Sequence, residues 1–179
     1  MQHGFFIEAK PGESVKSMLC ERLGVDSEYA VDRIKTIFLN GKPVDDMEKA
    51  YIRDGCSLAL SAAMPGLVGA TFRSGGVLSP FRAAISYRPE DCETAESEIG
   101  AVYLKLFNLL VPEMGPAFLE NGIYVDKKLA EEFFKDSESE LETGCSSITM
   151  DDRPVGIREL AKNGVGSSKY YILLRVKKE

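Results

Sequence analysis

The chain of 179 residues carries 22 Lys and Arg against 28 Asp and Glu, a formal net charge of −6, which excludes nucleic-acid binding through bulk charge. Hydrophobic residues make up 44% and charged residues 28%, the balance of a folded globular body and not of a disordered or collagen-like chain. One histidine, His3, leaves Ser-His-Asp, Cys-His and His-ligated metal sites almost nothing to be built from.

Taken in chain order, Phe5-Phe6-Ile7 predicts a short strand that ends at Pro11-Gly12. Val15, Met18, Leu19 and Leu23 fall at helical spacing behind Ser14, a suitable N-cap, and Gly24 stands where a left-handed C-terminal residue belongs. Ile34 to Leu39 predicts a strand running into the Asn40-Gly41 hairpin signal, with Val44 leading away. A short polar or helical stretch from Asp45 to Ile52 is followed by the Asp54-Gly55 turn and a strand over Ser57 to Ala62. Residues 65–76 hold four glycines in twelve positions, the most unusual local composition in the chain, and a strand is expected from Phe81 to Tyr87.

The second half is expected to be organised by a long core helix near 95–111. Its signals are Glu93, Glu96 and Glu98 in the first turns and Ile99, Val102, Tyr103, Leu106, Leu109 and Leu110 at helical spacing. This apolar stretch, interrupted by Lys105 and Asn108, falls short of the ~20 residues that cross a bilayer, so no membrane association is expected. An amphipathic helix after Asp126 places Leu129, Ala130, Phe133 and Phe134 on one side, and Asp136 to Glu140 reads as an acidic connector. The end of the chain reads as a strand over Ser147 to Met150, a turn at Asp151-Asp152, a helix from Ile157 to Lys162 and a strand from Tyr170 to Val176. Residues 37–44 and 148–155 agree in class at most positions, which fits either a duplication or a common local solution to making a hairpin.

The cysteines Cys20, Cys56, Cys92 and Cys145 form no C-x-x-C pair, so neither a zinc nor an iron–sulfur site is expected. The first ten residues do not pair a basic segment with a long apolar one, and a cytoplasmic, thiol-reduced location is the expectation.

Pro11-Gly12-Glu13-Ser14-Val15, then Leu39-Asn40-Gly41-Lys42-Pro43-Val44, then Asp54-Gly55-Cys56-Ser57-Leu58-Ala59-Leu60 occur in an order and at a spacing that carry a resemblance. The chain here resembles the β-grasp, ubiquitin-like sulfur-carrier proteins of thiamine and molybdopterin biosynthesis. The resemblance implies a β-grasp portion over 1–76 and, in Arg73-Ser74-Gly75-Gly76, the counterpart of a Gly-Gly tail whose terminal carboxylate is activated and converted to a thiocarboxylate. The chain runs on past Gly76, so carrier chemistry would need cleavage there. The family's hairpin before the helix also lacks one strand here, which Phe81 to Tyr87 or Tyr170 to Val176 is expected to supply.

These readings combine into an α+β fold, with residues 1–76 β-grasp-like and 77–179 an α+β portion. The function expected is a binding or interaction module engaging a protein partner or a small anionic ligand, with homo-oligomerisation open. The candidates for contact are Gly66, Gly69, Thr71, Arg73, Ser74, Gly75, Gly76 and Arg82, because backbone N–H groups, hydroxyls and guanidinium groups suit an anion. The alternatives are a sulfur-carrier-like protein processed after Gly76, or an enzyme component that holds an anionic ligand with the Gly-rich loop 65–76. Neither G-x-x-x-x-G-K-[ST] nor G-x-G-x-x-G is present, no cofactor is implied, and Cys92 or Cys145 as a nucleophile would lack a histidine to activate it. The carboxylate pairs Asp45-Asp46 and Asp151-Asp152 do not match a calcium loop.

Overall fold

The computed structural model describes residues 1–89, 99–166 and 169–177. The fold is α+β and parts into two compact units, Met1–Ile123 with Arg175–Glu179, and Tyr124–Leu174; the 76/77 boundary lies inside the first.

In the first unit, β1 (Phe5–Ala9) leads through Ser14, whose side chain accepts from Ser17 N, into α1 (Val15–Ser17) and directly on into a π turn at Met18–Arg22. α2 (Ser27–Arg33), capped by Asp26, is a helix that hydrophobic spacing does not announce, because Ala30 alone among its residues is buried. β2 (Thr36–Leu39) and β3 (Lys42–Pro43) follow, then β4 (Ser57–Ser61), α3 (Gly66–Phe72), a 3-10 turn at Ser79–Arg82, β5 (Gly100–Phe107) and α4 (Leu110–Asn121). The strand order is β3-β2-β4-β5-β1, with β4 and β5 parallel and the other neighbours antiparallel.

The alternation of each strand decides which face becomes core. Ile37, Leu39, Leu58, Leu60, Val102, Leu104, Leu106, Phe5 and Ile7 point one way and meet Val15, Met18 and Leu19 in a closed interior. The Phe118 ring of α4 meets the Phe5 ring edge-on at 5.4 Å.

Several expectations are corrected. Residues 100–107 are a strand and not the core of a long helix; Glu93, Glu96, Glu98 and Cys92 lie outside the described residues. The reason is physical. Gly100, Val102, Leu104 and Leu106 are buried, while Tyr103 and Lys105 on the other face are half-buried, so apolar residues on both faces imitate a helical period. Helix begins at Leu110, after Asn108 takes a positive φ of 55°.

Residues 81–87 are likewise not a strand: Pro80 opens the 3-10 turn, and Ile85 N and Ser86 N both donate to Arg82 O. The strand beyond Gly76 that stands between β1 and β4 is therefore β5, and neither 81–87 nor 170–176 pairs with β1 there. Asp45 to Ile52 contains turns and no helix.

In the second unit, β6 (Ile123–Asp126) leads through the Asp126 cap into α5 (Lys127–Asp136). The expected acidic connector becomes helix at α6 (Glu138–Gly144), where Arg158 pairs with Glu142 at 2.6 Å. A hairpin of β7 (Thr149–Met150) and β8 (Arg153–Pro154), α7 (Ile157–Asn163) and β9 (Tyr171–Leu174) complete it, with β9 beside β6. Its own core joins Ala130, Phe134, Ile157, Leu160 and Val165.

The two related segments have the same local geometry. Asn40 and Gly41 have φ of 51° and 76°, Asp151 and Asp152 have 49° and 62°, the double positive φ of a type I′ turn. Phe38 pairs with Pro43 as Thr149 pairs with Pro154, and Val44 N donates to Ile37 O at 2.9 Å as Val155 N donates to Ile148 O at 2.9 Å.

Candidate functional site

Thr36, Phe38, Ala59 and Ser61 sit on the sheet face opposite the core, since Ile37 pairs with Leu60 and Leu39 with Leu58 on the other side. α3 covers that second face, its Phe72 ring 5.2 Å from the ring of Phe38. At Gly69 the helix lies against the turn that leads into it, so that an added Cβ would stand 1.9 Å from the Met64 carbonyl oxygen. The Met64 loop is itself fixed, because Asn108 Nδ2 donates to Ala63 O at 2.7 Å and to Ser61 Oγ at 3.1 Å.

Beyond α3 the chain is tied down. Ser74 N donates to Lys35 O at 2.8 Å, Ser74 Oγ to Val44 O, Gly75 N to Asp45 Oδ1 at 3.2 Å, and Gly76 N to Arg73 O at 3.1 Å. Gly75 has a φ of 61°, which glycine adopts without strain. Arg82 fastens the arrangement: its Nε donates to Thr71 O at 2.7 Å, and two of its nitrogens reach both oxygens of Asp45 at 2.6 and 3.1 Å.

Between β2, the Met64 loop and residues 66–78 lies a cleft of about 540 Å³, within the size range of small-ligand sites. Lys35 and Arg73 bring positive charge to it, and Ala63, Ala70, Val77 and Leu78 make its apolar wall. Lys35 Nζ donates to Val31 O at 3.0 Å and stands 4.0 Å from Asp32 Oδ1. Arg73 is exposed and its guanidinium has no partner among the described residues. Thr36, 1% exposed, also lines the cleft, and its Oγ1 is buried without a hydrogen-bond partner among the described residues. Among the described residues the lining contains no Asp, Glu, His or Cys. The Lys35 ammonium, the Arg73 guanidinium and the backbone N–H groups along it are donors of the kind that suit an anion.

The candidates from the Gly-rich segment divide accordingly. Gly66, Gly69, Arg73, Gly75 and Gly76 line the cleft, but as a helix and a tethered turn instead of the loop expected. Thr71 Oγ1 donates to Leu67 O within α3, and Ser74 is a tether. Arg82 is corrected most sharply: its side chain is 2% exposed and saturated by Asp45, Thr71 O and Ser86, so it is a structural clamp and not an anion receptor.

Sequence reasoning missed Lys35 and Thr36, and it weighed Asp45 as half of a carboxylate pair and not as the partner of Arg82. The alternation of Thr36-Ile37-Phe38-Leu39 carried a usable signal, since it places Thr36 on the face away from Ile37 and Leu39.

No family model, curated protein or solved structure matches this chain.

Elsewhere in the first unit, Glu113 accepts from Tyr29 Oη at 2.6 Å and from Arg33 Nε at 2.8 Å, and a second Arg33 nitrogen bonds its other oxygen. The Arg33 guanidinium first, and the Tyr29 hydroxyl second, hold the Glu113 carboxyl down at about 2. Burial, then the hydrogen bond to Glu113, pushes the Tyr29 phenol up to about 12. The group is a tie between α2 and α4.

Among the described residues no three His, Cys, Asp or Glu side chains cluster as metal ligands, and no helix is long and apolar enough to cross a membrane. Cys56 is buried, Cys20 half-buried and Cys145 exposed. In the second unit, Tyr124, Asp126, Lys169, Tyr170 and Tyr171 line an open, mainly aromatic depression.

Proposed function

We propose that the protein is a binding module whose cleft in the first unit receives a small anionic molecule with an apolar body. The observation that carries this reading is the Thr36 hydroxyl, buried without a partner on the wall of a cleft that also presents Lys35 and Arg73. A buried hydroxyl left unsatisfied costs about 1–3 kcal/mol, which an acceptor brought by a ligand recovers. Two cations supply attraction to the ligand's charge, and the Ala, Val and Leu wall receives its apolar part.

Titration of ¹⁵N-labelled protein with octanoate, and with octanol as the uncharged control, tests the reading. Octanoate is expected to shift the amide signals of Lys35, Thr36, Gly69, Ala70 and Gly76, with Arg73→Gln and Thr36→Val each weakening the effect. Shifts from octanol equal to those from octanoate, or none with either to ~10 mM, where an affinity weaker than about 3 kcal/mol lies, refute it.

The β-grasp reading of the first unit draws support from the antiparallel β1–β5 pair, which supplies from beyond Gly76 the strand that the hairpin before the helix lacks. That same strand weighs against the sulfur-carrier alternative. Cleavage after Gly76 would cut the covalent link to β5, which stands between β4 and β1. Intact-mass analysis of the protein from its native cells separates the two, because a species ending at Gly76 is required by the carrier reading alone.

A further inference from the structure

All of the chain's 28 Asp and Glu residues lie outside the run from Gly55 to Pro89, where the charged residues are Arg73, Arg82 and Arg88. Arg82 is buried, so Arg73 and Arg88 are the charges this run shows to solvent. It also shows large apolar side chains to an unusual degree: Val77 is 94% exposed, Phe81 85%, Leu67 76%, Val68 61% and Ile85 55%. These residues sit on neighbouring elements, since α3 packs against the 3-10 turn and Arg82 fastens one to the other. Scattered exposed apolar residues are ordinary, but several in one clamped run that itself contains no acidic residue mark an interaction surface.

We propose that this surface docks a protein partner whose contacting face is apolar and acidic. Charge complementarity selects that occupant. In a chain whose net charge is −6, the run from Gly55 to Pro89 holds no acidic residue of its own, the Asp45 held against it is paired with the buried Arg82, and two exposed guanidinium groups, Arg73 and Arg88, belong to the same run as the exposed apolar residues. Such a pattern steers an acidic partner and repels a basic one.

An anionic membrane is less well served. Basic residues near a lipid surface are worth about 1 kcal/mol each and sequence-readable lipid sites carry about 4–8 of them, against the two exposed here. A second copy meeting the same surface about a two-fold axis would offer the same two guanidinium groups and no acid from this run to face them. The proposal shares Val77 and Arg73 with the cleft and is told apart from the ligand reading by Phe81, Leu67, Val68, Ile85 and Arg88, which are not part of the cleft lining.

The test uses the full chain and two synthetic amphipathic helices of equal length, one of Leu and Glu and one of Leu and Lys, with binding followed by fluorescence anisotropy of the labelled peptide. The Leu/Glu helix is expected to bind with salt-sensitive affinity and the Leu/Lys helix not to bind. Leu67→Ser with Phe81→Ser, both highly exposed, outside the cleft lining and so not expected to disturb folding, should weaken binding at least ~10-fold, as hot-spot apolar contacts do. Arg88→Gln, outside the cleft lining, should lower both the affinity and its salt dependence.

Equal binding of the two helices, binding of neither, or no effect of the Ser variants overturns the proposal. So does tighter attachment to vesicles of phosphatidylcholine with phosphatidylglycerol than to the Leu/Glu helix. Sedimentation showing a dimer that the same Ser variants dissociate assigns the surface to a second copy and also overturns it.

Discussion

Replacement of Thr36 by valine separates stability from binding. Valine keeps the branched shape at a position 1% exposed and removes only the hydroxyl whose oxygen has no partner among the described residues. No cavity opens, so the lost term is the desolvation cost of that hydroxyl, about 1–3 kcal/mol. Part of this is already relieved if water reaches the cleft, and the net expectation is stabilisation by about 1–2 kcal/mol. For a chain of this length, a change of 1 kcal/mol moves Tm by about 2–4 °C, so Tm should rise by about 2–8 °C. Urea unfolding followed by far-UV circular dichroism should show a higher midpoint with an unchanged slope. Thr36→Ser, which keeps the hydroxyl and removes the methyl, should move the other way by about 1 kcal/mol. Destabilisation of Thr36→Val by more than ~1 kcal/mol would show that the hydroxyl has a partner after all, and the argument for the cleft would fall with it.

Gly69→Ala should destabilise the first unit by about 3 kcal/mol or more, because the new Cβ meets the Met64 carbonyl oxygen, a backbone atom that cannot rotate away. Gly144→Ala, with nothing within 4 Å, is the control and should be neutral or slightly stabilising in the same thermal assay. Arg82→Met should destabilise by about 2–3 kcal/mol, less than a fully buried pair because the Asp45 side chain is 41% exposed, and protease cleavage between Arg73 and Arg88 should accelerate.

The depressed Glu113 carboxyl contributes stability that is fully present above about 4.5 and is lost as pH falls toward about 2. Glu113→Gln should therefore flatten the pH dependence of unfolding in that window. The raised Tyr29 phenol contributes stability that is present below about 10 and is lost as pH rises toward about 12. In the folded wild type, ultraviolet titration should find this tyrosine the last to ionise; a Tyr29 that ionises with the exposed tyrosines would refute the assigned contact.

Local signals in the chain predicted local structure well. Asn40-Gly41 forms the tight hairpin expected, and Asp126 and Ser14 both cap helices. The signals failed where burial, not local preference, decides. The segment after Ile99 is apolar on more than one side, which suits a covered helix by pattern alone; as a strand between β4 and β1 it has apolar residues on both faces. The glycines of 65–76 predicted a loop because glycine disfavours helix by about 1 kcal/mol, yet the close approach of Gly69 to Met64 outweighs that preference. Arg82 looked available because nothing nearby in sequence is acidic, and its partner, Asp45, comes from the chain after the first hairpin. Thr36 became a site residue only through the absence of a partner, a property of the folded surroundings that no local pattern encodes.

The insertion of β5 between β1 and β4 also sets a schedule for synthesis. Phe5 pairs with Leu104, so the oldest strand of the chain waits for one of the last parts of its unit to be made. At about 5–20 residues per second, that wait lasts about 5–20 s on a translating ribosome. During it β1 and β4 both present unfilled edges, and the acid-free, apolar run from Gly55 to Pro89 emerges beside them. Such a nascent chain has high contact order and a prolonged aggregation-exposed interval, so its yield in cells should depend on elongation rate and chaperone supply more than its equilibrium stability indicates.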